Sequence, residues 1–87
     1  MVKKYCKKPV VVEAVQWTGE NIDEIVEFCG EYCNSFDWSD VLYIYTLGGH
    51  RIARVGDYII KGVRGEFYPC MPHIFEETYD AVIEEEE

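Results

Sequence analysis

Between Val55 and Cys70 the chain runs Val-Gly-Asp-Tyr-Ile-Ile-Lys-Gly-Val-Arg-Gly-Glu-Phe-Tyr-Pro-Cys, so glycine turns alternate with short β-branched and aromatic runs. Gly48-Gly49, Gly56-Asp57 and Arg64-Gly65 each place two turn residues between such runs. Two-residue hairpins favour residues that tolerate positive φ. Three of these turns in succession predict four antiparallel strands between Val41 and Cys70.

Upstream, residues 10 to 17 are rich in Val and other apolar side chains and read as a first strand ending at Trp17. Asn21 and Glu24 have the spacing of a capping box, in which each side chain satisfies a free backbone N–H at a helix start. Ile22, Ile25, Val26, Cys29, Tyr32 and Cys33 follow at helical spacing as one apolar stripe, although Gly30 favours a stop near Cys29. Asn34 to Asp40 reads as a loop, Pro72 opens a short helical turn through Phe75, and Thr78 to Ile83 returns as a last strand. The expected fold class is α+β: a small antiparallel β-meander of about five to six strands, half-barrel-like, with one main helix and a short C-terminal helical turn. Residues 1–83 form a single domain and 84–87 a solvated acidic tail.

Eighty-seven residues with 48% hydrophobic and 15% aromatic content suffice for one core. A net charge of -9 argues against the binding of long nucleic acid or an anionic membrane by the molecule as a whole. The distribution is more informative than the sum. Lys3, Lys4, Lys7 and Lys8 sit in the N-terminal arm; Arg51, Arg54, Lys61 and Arg64 sit in the glycine-turn region; Glu13 to Asp40 carries acid and no base. The run Pro9-Val10-Val11-Val12 is cut short by Glu13, too soon for a signal peptide or a span. The expectation is therefore a cytoplasmic protein in which Cys6, Cys29, Cys33 and Cys70 stay reduced.

Two-residue hairpins set the register, pairing Leu47 with His50, Val55 with Tyr58 and Val63 with Glu66. One face then collects Leu42, Ile44, Thr46, Arg51, Ala53, Val55, Tyr58, Ile60 and Phe67, and packs on the helix. The other carries Tyr43, Tyr45, His50, Arg54, Lys61 and Tyr68, with Tyr43 opposite Arg54, Lys61 opposite Tyr68, and Arg64 reaching in from its turn. Tyrosine rings stack on a base at about 1 to 3 kcal/mol each, and Arg and Lys hold phosphate by charge-assisted hydrogen bonds. The competing expectation is that both faces are buried and the tyrosines are simply core.

Other groupings carry less. Cys29, Cys33 and the Cys70-Met71-Pro72-His73 run can be drawn as four zinc ligands, but two cysteines on one apolar stripe behave as buried small hydrophobes. Ser35 and Ser39 have no histidine near them in sequence, Asp57 has a turn role, and Glu76 with Glu77 reads as surface, so neither catalysis nor a cofactor is expected. A helix continuing past Gly30 would align Glu20, Glu24, Glu27 and Glu31 at about 6 Å intervals, imitating backbone phosphates; an ordinary solvated face is the simpler account.

The blocks Lys8 to Gly19, Gly56 to Ile60, Gly62 to Cys70 and Phe75 to Tyr79 resemble a family of small bacteriophage and prophage proteins, nearly end to end. Val55 stands where that family often has proline, and the acidic tail is peculiar to this chain. The resemblance implies an accessory protein acting in the cytoplasm of an infected bacterial host. Combined with the aromatic and basic face, it leads to a non-enzymatic, homo-oligomeric binder that sequesters a small nucleotide-derived anion through Tyr43, Tyr45, His50, Arg54, Lys61, Arg64 and Tyr68, countering host defence. The alternatives are an acidic inhibitor docking on a host nucleic-acid enzyme or defence protein, and a minor virion or assembly component.

Overall fold

The computed structural model describes residues 2–4, 10–35 and 40–80. In chain order these form β1 (Glu13–Gln16), α1 (Ile22–Cys29), a 3₁₀ turn (Gly30–Tyr32), β2 (Cys33–Ser35), β3 (Leu42–Thr46), β4 (Gly49–Ala53), β5 (Tyr58–Lys61), β6 (Phe67–Cys70) and α2 (Pro72–Thr78). The fold is α+β, with six antiparallel strands, one main helix and a short C-terminal one.

The strands divide into two sheets, β1-β5-β6 and β2-β3-β4, rather than following one another in a single meander. The Gly56-Asp57 turn is the point of departure. Asp57 N–H donates to Arg54 O at 2.9 Å, closing the turn, but Gly56 N–H then donates to Trp17 O at 2.7 Å and Trp17 N–H to Asp57 O at 2.8 Å. The turn is thus tied to the end of β1, and β5 pairs with β1 (Val15 opposite Ile59) instead of returning along β4. The Val55–Tyr58 pairing is accordingly absent, and the first strand is shorter than expected, beginning at Glu13.

α1 ends where glycine permits it. Gly30 adopts φ +54°, ψ -124°, with its N–H donating to Val26 O. Helical phase is lost there, so Tyr32 and Cys33 leave the apolar stripe: Tyr32 lies in the 3₁₀ turn and Cys33 opens β2, opposite Ile44. The segment from Asn34 is therefore strand before it is loop, and residues 36–39 lie outside the described part. The row Glu20, Glu24, Glu27 and Glu31 is likewise broken, since only Glu24 and Glu27 belong to α1. Nor does the capping box form. Asn21 Nδ2 donates to Glu24 Oε1 at 2.7 Å and Asn21 Oδ1 accepts from Thr18 N–H at 2.9 Å, so the two side chains bond each other and Asn21 also bonds the incoming loop.

Cys29 and Cys33 form a disulfide that joins the end of α1 to β2, correcting the expectation of reduced thiols; Cys70 is free, and Cys6 lies outside the described residues. Both bridged cysteines belong to the core, with Trp17, Ile25, Leu42, Ile44, Ala53, Ile59 and Phe67, drawn from both sheets and α1. Burying a side chain such as Ile25 contributes about 1.5–3 kcal/mol. The outer face of the β1-β5-β6 sheet is covered by α2: the rings of Tyr58 and Phe75 stack at 3.9 Å, and Ile60 on the same face is fully buried. α2 continues through Thr78, so the expected last strand does not start there; residues 81–83 of that strand are outside the described part.

Candidate functional site

The register of two hairpins decides which side chains can act together. β3 and β4 pair Thr46 with Gly49, so Leu47-Gly48 form the turn, not Gly48-Gly49. Thr46 selects this closure, because its Oγ1 donates to Gly49 O at 2.6 Å and accepts Gly48 N–H at 3.1 Å. His50 consequently faces Tyr45, with ring centroids 4.2 Å apart, and Tyr43 faces Ile52. The expected Leu47–His50 and Tyr43–Arg54 pairs are not formed, and Arg54 lies beyond the strand, at the end away from the turn.

The second hairpin differs by a single residue. Lys61 pairs with Phe67, leaving Gly62 to Glu66 as the loop in place of a two-residue turn between Val63 and Glu66. Gly62 N–H donates to Glu66 O at 2.7 Å, and the Glu66 carboxylate accepts Arg64 N–H at 3.0 Å. A one-residue slip moves every side chain to the other face. Phe67 is in the core, as its expected face implied, but the slip puts Lys61 on that same face, with Nζ 6.0 Å from the Phe67 ring. Tyr68 turns the opposite way, paired with Ile60, so Lys61 and Tyr68 are on opposite faces of their sheet. Burial of an aromatic outweighs the preference for a tight turn.

What converges instead is a cleft of about 350 Å³ where the Leu47-Gly48 turn, the 62–66 loop and the 3₁₀ turn meet. Tyr32, Tyr45, Leu47, Arg64, Glu66 and Phe67 line it. The Tyr32 and Phe67 rings lie 5.5 Å apart, tilted by 34°, and Phe28 meets Phe67 edge-on from the core side. Tyr32 and Tyr45 are 54% and 46% exposed, so both rings have faces open to a ligand. The Arg64 guanidinium has no ion-pair partner among the described residues.

Of the seven residues expected from sequence, Tyr45 and Arg64 line this cleft. His50 supports it by contact with Tyr45, and Lys61 approaches it through the Phe67 ring. Tyr68 borders an adjoining hollow of about 280 Å³ shared with Leu47, Glu66 and Phe67. Tyr43 and Arg54 are elsewhere. Tyr32, Leu47 and Phe67 are additions from the structure. A signal for Tyr32 exists in the sequence, since a glycine two residues earlier that ends the helix also ends the periodicity that would bury the tyrosine.

Among the described residues two titrating groups are perturbed. The Tyr68 hydroxyl is held protonated well above the usual tyrosine range, by burial first, then by its hydrogen bond with Tyr79 and the nearby negative charge of Glu66. Burial also pushes the Cys70 thiol up, with Asp57 adding to it. The disulfide removes Cys29 and Cys33 as thiolate ligands, and among the described residues no three His, Cys, Asp or Glu side chains converge as a metal site would require. No family model, curated protein or solved structure matches the chain.

Proposed function

We propose that the chain is a non-enzymatic, phage-encoded binding module that takes up a small nucleotide-derived anion and sequesters it from host defence. The observation that carries this reading is the juxtaposition of two exposed tyrosine rings, Phe67 and a guanidinium with no ion-pair partner among the described residues around one cleft. A base stacks on aromatic faces whatever its identity, and a guanidinium grips phosphate through two parallel hydrogen bonds. One guanidinium in about 350 Å³, near the lower bound of ligand pockets, suits one phosphate group and one base. The ligand-holding set is thus Tyr32, Tyr45, Arg64 and Phe67, with His50 behind Tyr45. Leu47 at the rim is 84% exposed, and a second copy of the chain closing over it would complete the enclosure that one small sheet lacks. No helix among the described residues is long and apolar enough to cross a membrane, and the reading places the protein in the cytoplasm of the infected cell.

Titration calorimetry against linear and cyclic mononucleotides tests the proposal. Saturable binding is expected, weakened about tenfold or more by Arg64→Ala or Tyr45→Ala and unchanged by Arg54→Ala. A flat response across the panel would overturn it. An inhibitor built on a phosphate-like row of glutamates is not favoured, because that row needs a helix through Glu31 and α1 stops at Cys29.

A further inference from the structure

A second groove, of about 210 Å³, lies between the segment leading into β1, the 62–66 loop and the end of α2. Its walls are Val10, Val12 and Val63, and its polar groups come from Glu66, Tyr68 and Tyr79. The Glu66 side chain folds back over Gly62 so closely that a Cβ at position 62 would collide with the carboxylate. Arg64 N–H holds Oε2 at 3.0 Å, and Oε1 has no hydrogen-bond or ion-pair partner among the described residues. The Tyr68 and Tyr79 hydroxyls are 3.5 Å apart. Among the described residues neither nearby cation reaches in: Lys61 is on the other face of the sheet, and Arg64 belongs to the aromatic cleft. Burial contributes most to holding the Tyr68 proton in place and is indifferent to the sign of a charge; the lesser Coulombic contribution, from the Glu66 carboxylate, is the one that favours a cation here.

We propose that this groove binds the ammonium end of a short alkylamine of the polyamine class. The ammonium donates to the unpartnered Glu66 oxygen and to the Tyr68 phenol oxygen, while its methylenes lie along Val10, Val12 and Val63. The chemistry matches on both counts, since a carboxylate fixed by a backbone N–H provides the charge and the valines provide cover for the carbon chain. The site is separate from the anion cleft, with Glu66 as the wall between them.

Titration of the ¹⁵N-labelled chain at pH 7 with n-butylammonium and 1,4-diaminobutane, and with n-butanol as the uncharged isostere, tests the assignment. Saturable shifts are expected at Gly62, Val63, Tyr68 and Tyr79 with both amines, and none with butanol. Glu66→Gln retains an acceptor for Arg64 N–H but removes the charge, and should weaken amine binding about tenfold or more. Tyr68→Phe should weaken it less, and Arg64→Ala should leave it unchanged. Nucleotide titration of the parent chain separates the two sites, because absence of amine binding by the parent chain with nucleotide binding intact sinks only this proposal. Amine shifts spread along Asp23, Glu24 and Glu27 of α1, equal shifts with butanol, or full binding by Glu66→Gln would each overturn it.

Discussion

At the scale of single residues, Glu66 and its neighbours govern both cavities. Gly62 is required by proximity rather than by backbone angle, since the Glu66 carboxylate occupies the space a side chain would need. Gly62→Ala should push that carboxylate aside, break its bond to Arg64 N–H and cost about 1–2 kcal/mol, measurable as a lowered denaturation midpoint with the core unchanged. Tyr68 carries a pH signature. Its folded-state pKa is raised above the ordinary value of 10.0, so the folded protein retains a proton that the unfolded chain loses. Stability from this group is present below about pH 10 and declines as pH rises above it. Urea melts between about pH 9 and 11 should show that decline in the parent and a flatter profile in Tyr68→Phe; parallel profiles would contradict the assignment. Tyr45 and Arg64, both singled out in the sequence for ring and guanidinium chemistry, line one cleft in the structure, because that chemistry is carried by residue type. Which partner each side chain faces is not, because that depends on register.

At the scale of elements, the end of α1 shows how much one local conformation decides. Gly30 occupies a backbone region essentially closed to other residues, and the space where a side-chain carbon would sit is open, with no atom within 4 Å. Gly30→Ala should therefore cost about 1–3 kcal/mol through backbone strain alone, seen by calorimetry as a lower melting temperature without a change in secondary structure. The disulfide that follows closes a loop of only a few residues, so reduction should remove about 2 kcal/mol on chain-entropy grounds. Melting in a dithiol reductant checks this, with Cys29→Ala/Cys33→Ala as the variant; no change would mean that core packing alone holds the bridge region. Helix existence and the proline-started α2 are readable from apolar periodicity and proline chemistry, whereas the stop at Gly30 stayed open against a continuing helix. β2 is not readable, because its three residues become a strand only by pairing with β3.

For the whole molecule, an excess of nine negative charges makes self-repulsion a general term opposing compaction. Raising sodium chloride from about 10 to 200 mM should screen it and raise the melting temperature, whereas the nucleotide affinity proposed for the Arg64 cleft should fall over the same range. Opposite signs in the two measurements would separate global charge from local recognition. The amino-acid sequence by itself determined an α+β chain with short antiparallel strands, a main helix whose end at Gly30 stayed open, and a basic, aromatic-rich glycine-turn region, because turn chemistry, periodicity and composition act over a few neighbouring residues. Only the tertiary structure decided that the strands part into two sheets, that Lys61 shares a face with Phe67 rather than with Tyr68, and that Tyr32 meets Arg64 across a cleft. Those outcomes follow from competition for burial and for backbone partners, such as Trp17 with the Gly56-Asp57 turn, between residues some forty positions apart.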